Sequence, residues 1–295
     1  MNISLDRKSA LLPHASAEAA LAENAAGSAF ATTLAKGLVV LEAFESGPRL
    51  LGNMELSTRT GIPRPTVARL THTLAELGYL RYDEHVAKYH LGVRPLRIAR
   101  PLLAGMEFRQ ISRPLMQELA ESVRGTVSIG LLDGNSIIYV ETARSGNVGP
   151  HVPDIGMSIS TVMTAMGRAA AAIVPASEST LLEERMSADD AELWSAYRDK
   201  YRLGIRQCAD RGFCTCFGEY ISSIHAVAAP LFYSHSLRQS FSINCGVPAF
   251  RLQPGQLESE VGPRIAALAV SIRSLVNETE PAMAPRQENK KKAGK

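Results

Sequence analysis

With 295 residues, 45% of them hydrophobic, and a formal net charge of +3, the chain can bury the cores of two domains but carries no charge excess that would by itself mark a nucleic-acid binder. No apolar run reaches the roughly 18 to 20 residues of a spanning helix, and the first residues mix acid and base without the continuous apolar core of a secretory signal. A membrane protein is therefore not expected, and the cytoplasm is the default location.

Residues 1–33, rich in Ala, Ser and Glu, read as a mobile N-terminal arm. Leu34, Leu38, Leu41 and Phe44 then predict an amphipathic first helix running to about Ser46 and closed by Gly47 and Pro48. Asn53 is placed to cap a short second helix, Met54 to Thr60, with Leu56 pointing inward. The stretch Gly61 to Leu77, GIPRPTVARLTHTLAEL, predicts a tight turn and a third helix. Gly61 tolerates the left-handed conformation of a turn, and Pro63 has its φ preset for a helix start. Val67, Leu70, Leu74 and Leu77 recur at spacings of three and four as a buried stripe, and Gly78 stops the helix.

Packing that stripe leaves Arg64, Pro65, Ala68, Arg69 and His72 facing out. Tyr79 to Tyr82 and Lys88 to Leu91 alternate with period two about a polar turn, which makes a β-hairpin behind the third helix. Residues 34–92 thus read as a winged helix-turn-helix, whose third helix would enter the major groove of double-stranded DNA while the wing lies over neighbouring backbone. Arg64 and Arg69 suit bidentate guanine or phosphate contacts, and Thr66 in the first turn suits phosphate. For His72 a backbone contact and simple exposure both stay open. Arg81, Lys88 and His90 could meet phosphates from the wing, although its turn DEHVAK lacks glycine and adds two acids, which counts against such contacts.

Residues 93–111 read as a helical connector in which Pro101 is predicted to kink or divide the helix. A new helix is expected to start at Ser112, with Leu115, Met116, Leu119 and Val123 on one face and Gly125 as its stop. TVSIGLLD and SIIYVE around a DGN turn predict a hairpin. Ser160 to Ile173 and Ser177 to Leu203 read as helices, and 212–217, Ile224 to Tyr233 and Gln239 to Cys245 as strands. Glu258 to Thr279 is a last amphipathic helix through Val261, Ile265, Leu268, Ile272 and Leu275. The Pro-rich, then basic tail 280–295 reads as disordered. The fold class expected is α+β, with an effector-type domain over 112–279.

No GxSxG elbow, GxxxxGK[ST] loop, GxGxxG after a strand or HExxH helix is present, so neither catalysis nor a cofactor is expected. Cys208, Cys214, Cys216 and Cys245 with His225 include zinc-ligand types but no CxxC knuckle, and buried thiols are favoured over a metal site.

KGLVVLEAF, ELSTRTGIPRPTVARLTHTLAELGYL and KYHLGVRPLRIA resemble the DNA-binding half of the IclR family of bacterial transcription regulators. TVSIGLLDGNSIIYVE, STVMTAMGRAAAA, RGFCTCFGEYISSIHAVAAPLF and SINCGVPAF resemble its effector-binding half, so the likeness spans residues 35 to about 277. It implies a GAF-like C-terminal domain with a small-molecule pocket on one face of an antiparallel sheet. It also implies homodimers, often paired as dimers of dimers, on palindromic operators.

Carried over position by position, the family's effector contacts fall on Val148 and His151, Ala165 and Met166, Cys216, Ile224 and Ala226, and Ile243 and Cys245. Members that bind small oxoacids place an acid, a thiol and hydroxyls where this chain has Cys216, Ala226, Ile243 and Cys245. The resemblance therefore implies a more apolar cavity suited to a larger or aromatic acid, its polar end held by His151 or backbone N–H groups. The function expected is a one-component, ligand-responsive transcription regulator of a catabolic pathway. The alternative is a metabolite-binding protein whose helix-turn-helix mediates protein contacts.

Overall fold

The computed structural model describes residues 30–45, 47–146, 153–235 and 237–279. Val148, His151 and nearly all of the arm and tail lie outside them. The chain divides into two compact units, the first running to Met106 and the second from Glu107 onward, with Ser187–Ala191 grouped with the first. No helix among the described residues is long and apolar enough to cross a membrane.

The first unit contains α1 (Thr32–Glu42), α2 (Asn53–Thr60), α3 (Arg64–Glu76), the hairpin β1 (Leu80–Asp83) with β2 (Lys88–Leu91), and α4 (Arg94–Ala104). Its core gathers Val40, Leu51, Leu56, Ile62, Val67 and Leu70. The inward face of α1 differs from the expected one: Leu34 and Leu38 are 65% and 51% exposed, while Gly37 and Val40 are buried. Gly37 lies against α3, where a Cβ would meet Leu70 Cδ2 at 3.8 Å, an ordinary van der Waals contact. On α3 the buried places belong to Val67, Leu70 and Thr71, and Leu77, expected inside, is 55% exposed. The helix ends in a Schellman motif: Tyr79 N–H donates to Leu74 O (2.8 Å), Gly78 N–H to Ala75 O (2.9 Å), and Gly78 has φ +76°.

Leu51 pairs with Tyr89 through both backbone groups (3.0 and 2.9 Å), which fixes the hairpin to the helices. Pro101 does not divide α4, which runs on as one helix to Ala104. None of its residues is buried, so water can take the carbonyl that the missing proline N–H leaves free.

The second unit opens with α5 (Phe108–Val123). Ser112 is not its cap but lies inside it, fully buried, with its hydroxyl on Phe108 O at 2.6 Å. The helix stops on Arg124, at φ +52°, one residue before the glycine expected to stop it.

Six strands follow in one antiparallel sheet of order β5-β4-β3-β8-β7-β6: β3 (Thr126–Asp133), β4 (Ser136–Arg144), β5 (Ser158–Ser160), β6 (Cys214–Phe217), β7 (Ile224–Ser234) and β8 (Gln239–Pro248). β5 takes Ser160, the residue expected to begin a helix. The helix there, α6 (Ala165–Ala171), starts only after Thr164 caps it by accepting the Gly167 N–H at 3.1 Å. α7 (Ala176–Asp189) and α8 (Ala191–Arg211) come next in the chain. A π-turn, Leu257–Val261, delays the last helix, α9, to Gly262–Thr279.

Two contacts fix which face of the sheet meets which helix. Ser242 Oγ donates to Met166 O of α6 at 2.8 Å, whereas Phe241, next to it on β8, packs edge-on against Phe108 of α5 with ring centroids 5.2 Å apart. Successive strand residues point to opposite faces, so α6 covers one side and α5 the other.

Candidate functional site

The turn before α3 is built by one glycine and two hydroxyl side chains. Gly61 has φ +68°, Ser57 Oγ donates to Ile62 O at 2.7 Å, and Thr60 Oγ1 bonds both Leu56 O (2.7 Å) and the Ile62 N–H (3.3 Å). Arg64, Pro65, Arg69 and His72 are exposed on α3, and Thr66 and Ala68 are half-buried beside them. Among the described residues neither Arg64 nor Arg69 has an acidic partner, which leaves both guanidinium groups available to an anion.

The wing differs in its charges. Arg81 is exposed, but Lys88 Nζ lies 2.7 Å from Glu55 Oε1, and His90 Nδ1 lies 3.0 Å from Leu91 O. Glu55 also accepts the Gly52 N–H at 2.6 Å, and its carboxyl is held below the usual carboxylate range, first by Lys88 and then by that N–H. Ala87 occupies a left-handed position, φ +53°, in a turn without glycine.

In the sheet, register decides which candidates can meet. Cys216 pairs with Ala226 and Ala226 with Gly246, while Cys214, Ala228, Asn244, Ser128 and Thr142 form one rung across five strands. These residues share the α6 face. Ile243 and Cys245 are on the other, in rungs with Ile129 and Glu141 and with Val127 and Ala143. They are fully buried there, so the structure does not bring them together with Cys216 and Ala226. A one-residue slip along β8 accounts for the difference, since it exchanges the faces of every side chain. The alternation in QSFSINC, with Ser240, Ser242 and Asn244 at every second place, was the available signal.

The face so defined is less apolar than expected. Thr142 Oγ1 donates to Ser128 Oγ at 3.1 Å, and Asn244 Oδ1 is buried without a hydrogen-bond partner among the described residues. Sheet side chains reach the α6 segment at Met163 O (Cys216 Sγ, 3.4 Å), Ala165 O (Cys214 Sγ, 3.3 Å) and Met166 O (Ser242 Oγ). Ala165 and Met166 join Ile137, Tyr139, Cys214, Cys216 and Ala228 in one cluster, against which Ala226 and Tyr220 pack. Ile224 is half-buried at the start of β7.

Burial raises the Tyr139 phenol far above its ordinary range, with Tyr220 adding to the effect, so Tyr139 stays a neutral hydroxyl. Burial also raises the Cys216 thiol, helped by Glu219, so no thiolate sits here at neutral pH. Arg168 of α6 lies under the cluster, fully buried and paired with Glu219 (2.5 Å) and with Val162 O through Nε (3.1 Å). A separate cleft of about 430 Å³ includes Arg124, Arg251, Gln256 and Glu260, whose polar groups already pair with one another: Arg251 with Arg124 O at 2.7 Å and Gln256 with Glu260 at 2.9 Å. Among the described residues no group of three or more His, Cys, Asp or Glu side chains is placed to hold a metal ion.

Residues 33–84 match the family model of the IclR helix-turn-helix domain, and residues 101–274 match that of the bacterial transcriptional regulator IclR C-terminal domain. The crystal structure of an IclR family transcriptional regulator from Brucella abortus is 35% identical, with a TM-score of 0.75 over 83% of this chain and 92% of that one. The HTH-type transcriptional regulator TsaQ1/TsaQ2 of Comamonas testosteroni is 25% identical over 86% of this chain and 92% of its own length. The p-hydroxybenzoate hydroxylase transcriptional activator of Acinetobacter baylyi is 25% identical over 90% and 96%.

Proposed function

The chain belongs to the IclR family of bacterial transcription regulators, and from that premise we propose that it reads a palindromic operator through α3 and answers to an aromatic carboxylic acid held on the α6 face of its sheet. The observation that carries the DNA reading is the outward face of α3, where Arg64, Pro65, Thr66, Ala68, Arg69 and His72 remain once Val67, Leu70 and Thr71 have packed. Arg64 and Arg69 reach base edges or phosphates, Thr66 and His72 reach backbone, and Arg81 reaches phosphate from the wing. Lys88 contributes less, because Glu55 already neutralises it.

For the effector, Asn244 supplies a buried side-chain oxygen without a partner among the described residues, and Cys216 and Tyr139 supply neutral donors, while Ala165, Met166, Ile224 and Ala226 offer apolar surface for a ring. The name of the Acinetobacter relative, which ties it to p-hydroxybenzoate hydroxylase, supports an aromatic acid. Val148 and His151 remain contacts on the family pattern. Exposed Leu34 and Leu38 on α1 and Leu96, Ile98 and Leu102 on α4 support a homodimer, itself the unit of a dimer of dimers, whose two-fold axis a palindromic operator would mirror. The DNA-reading module is 34–92, the connector 93–111 and the effector module 112–279, and the protein works in the cytoplasm without a cofactor or catalytic step.

Regulation follows from differential affinity. An acid that prefers one arrangement of the dimer shifts the spacing of its two recognition helices, whereas one that binds both arrangements equally shifts nothing. The test is the salt dependence of binding to fragments that the full chain selects from genomic DNA. A steep linear fall of log affinity with log salt supports operator binding, because each neutralised phosphate releases counterions; a flat dependence favours a helix-turn-helix that contacts protein instead.

A further inference from the structure

Glu141 is the one acid among the fully buried polar residues described, and two arginines of α5 hold it: Arg109 Nη2 at 3.1 Å from Oε2 and Arg113 Nη1 at 2.7 Å from Oε1. A carboxylate so buried is costly unless paired, so removing either cation is felt at once by the other members. Arg109 lies in the first turn of α5, and only Gly105, Met106 and Glu107 separate that helix from α4.

On the strand side, Glu141 stands next to Thr142. Thr142 ends the rung Cys214, Ala228, Asn244, Ser128, Thr142 on the α6 face, and Glu141 ends the rung Ala229, Ile243, Ile129, Glu141 on the α5 face. The β3–β4 register breaks beside it, where Ile129 faces Glu141 but Gly130 faces Tyr139. Such a bulge disrupts the ladder locally, bends the strand and re-aims the side chains beside it.

We propose that the Arg109–Glu141–Arg113 triad is the latch through which occupancy of the α6 face acts on the connector to the DNA-binding domain. A ligand drawing on Asn244, Ser128 or Thr142 moves β4 at its bulge. Glu141, on the same two residues of strand, carries the movement to Arg109 and Arg113 and so re-aims the first turns of α5. The three are positioning residues and touch neither acid nor DNA. This rests on the regulator reading above.

The experiment measures the affinity of the full chain for its selected DNA with and without saturating benzoate, 4-hydroxybenzoate or 3,4-dihydroxybenzoate, in wild type, Glu141→Gln and Arg113→Ala. Arg113 is 62% exposed, so its removal leaves no buried hole even if Glu141→Gln folds poorly. Wild type is expected to show a coupling factor in the range of roughly 5–150-fold. Both variants should keep the affinity for DNA without acid, and the calorimetric affinity for acid without DNA, within about twofold while the factor falls toward one, a split that a merely structural role does not produce. Variants that retain the wild-type factor, or that lose affinity with the factor intact, overturn the latch alone. If none of the three acids changes the DNA affinity of wild type, the regulatory reading fails and the latch with it.

Discussion

The side-chain oxygen of Asn53 lies 3.0 Å from the Thr71 hydroxyl, so the second helix of the helix-turn-helix holds the third by a bond independent of the turn at Gly61. Thr71 is fully buried, and its hydroxyl also lies 3.0 Å from Val67 O. Thr71→Val keeps the shape and leaves the Asn53 oxygen without this donor. It is expected to lower the stability of the first unit by about 1 kcal/mol, read as a shift of the urea midpoint at unchanged slope.

Arg69→Ala should weaken binding to the selected DNA and reduce the salt slope by about one. Lys88→Ala should change that slope much less, because Lys88 is already paired with Glu55 at 2.7 Å. Filter binding at several salt concentrations compares them, and equal slopes for Arg69→Ala and wild type would remove Arg69 from the interface.

Ala87 stands in the wing turn at φ +53°, where an L-residue costs roughly 1–2 kcal/mol and glycine's extra chain entropy only about 0.5–1. Ala87→Gly is therefore expected to stabilise the first unit by roughly 0.5–1 kcal/mol. Thermal unfolding measures it, and a lower melting temperature would show that the conformation carries no strain.

Opposite faces of β8 should answer differently to substitution. Asn244→Ala is expected to weaken 4-hydroxybenzoate binding about tenfold, the worth of one buried hydrogen bond. Ile243→Val should cost about 0.5–1.5 kcal/mol of stability and leave acid affinity unchanged. Calorimetry on the full chain separates the two, and the reverse pattern would place the acid on the α5 side.

Burial pushes the Cys245 thiol from its ordinary value near 9 up to about 12, and Cys214 is raised by its hydrogen bond with Cys208 and by burial. The fold thus holds these groups protonated more tightly than the unfolded chain does. The stability linked to them is complete below the unfolded value, near pH 9, and is lost as pH climbs from there toward 12. Urea midpoints should fall across that window, and iodoacetamide should leave the native thiols unmodified at pH 8. Rapid native alkylation would contradict their burial.

Much of this was legible along the chain. Gly61, Pro63 and Gly78 punctuate α3, and the DGN turn sets the β3–β4 hairpin, because turn and helix-end conformations depend on the few residues that adopt them. Ser112 misled for the complementary reason: a serine that could cap a helix can equally bond a carbonyl four residues back inside one, and only the packing around Phe108 chooses.

Sequence alone determined the order of elements, β5 apart, and the residue types left on the outer face of α3, since helical and strand periods are written in local spacing. Tertiary structure decided which side of each element faces inward. On α1 the inward places went to Gly37 and Val40 and left Leu34 and Leu38 outside, and the pairing of β8 with β3 and β7 gave the α6 face to Asn244 instead of Ile243 and Cys245. Periodicity fixes that a strand has two faces. Which of them meets a given helix depends on partners more than a hundred residues away.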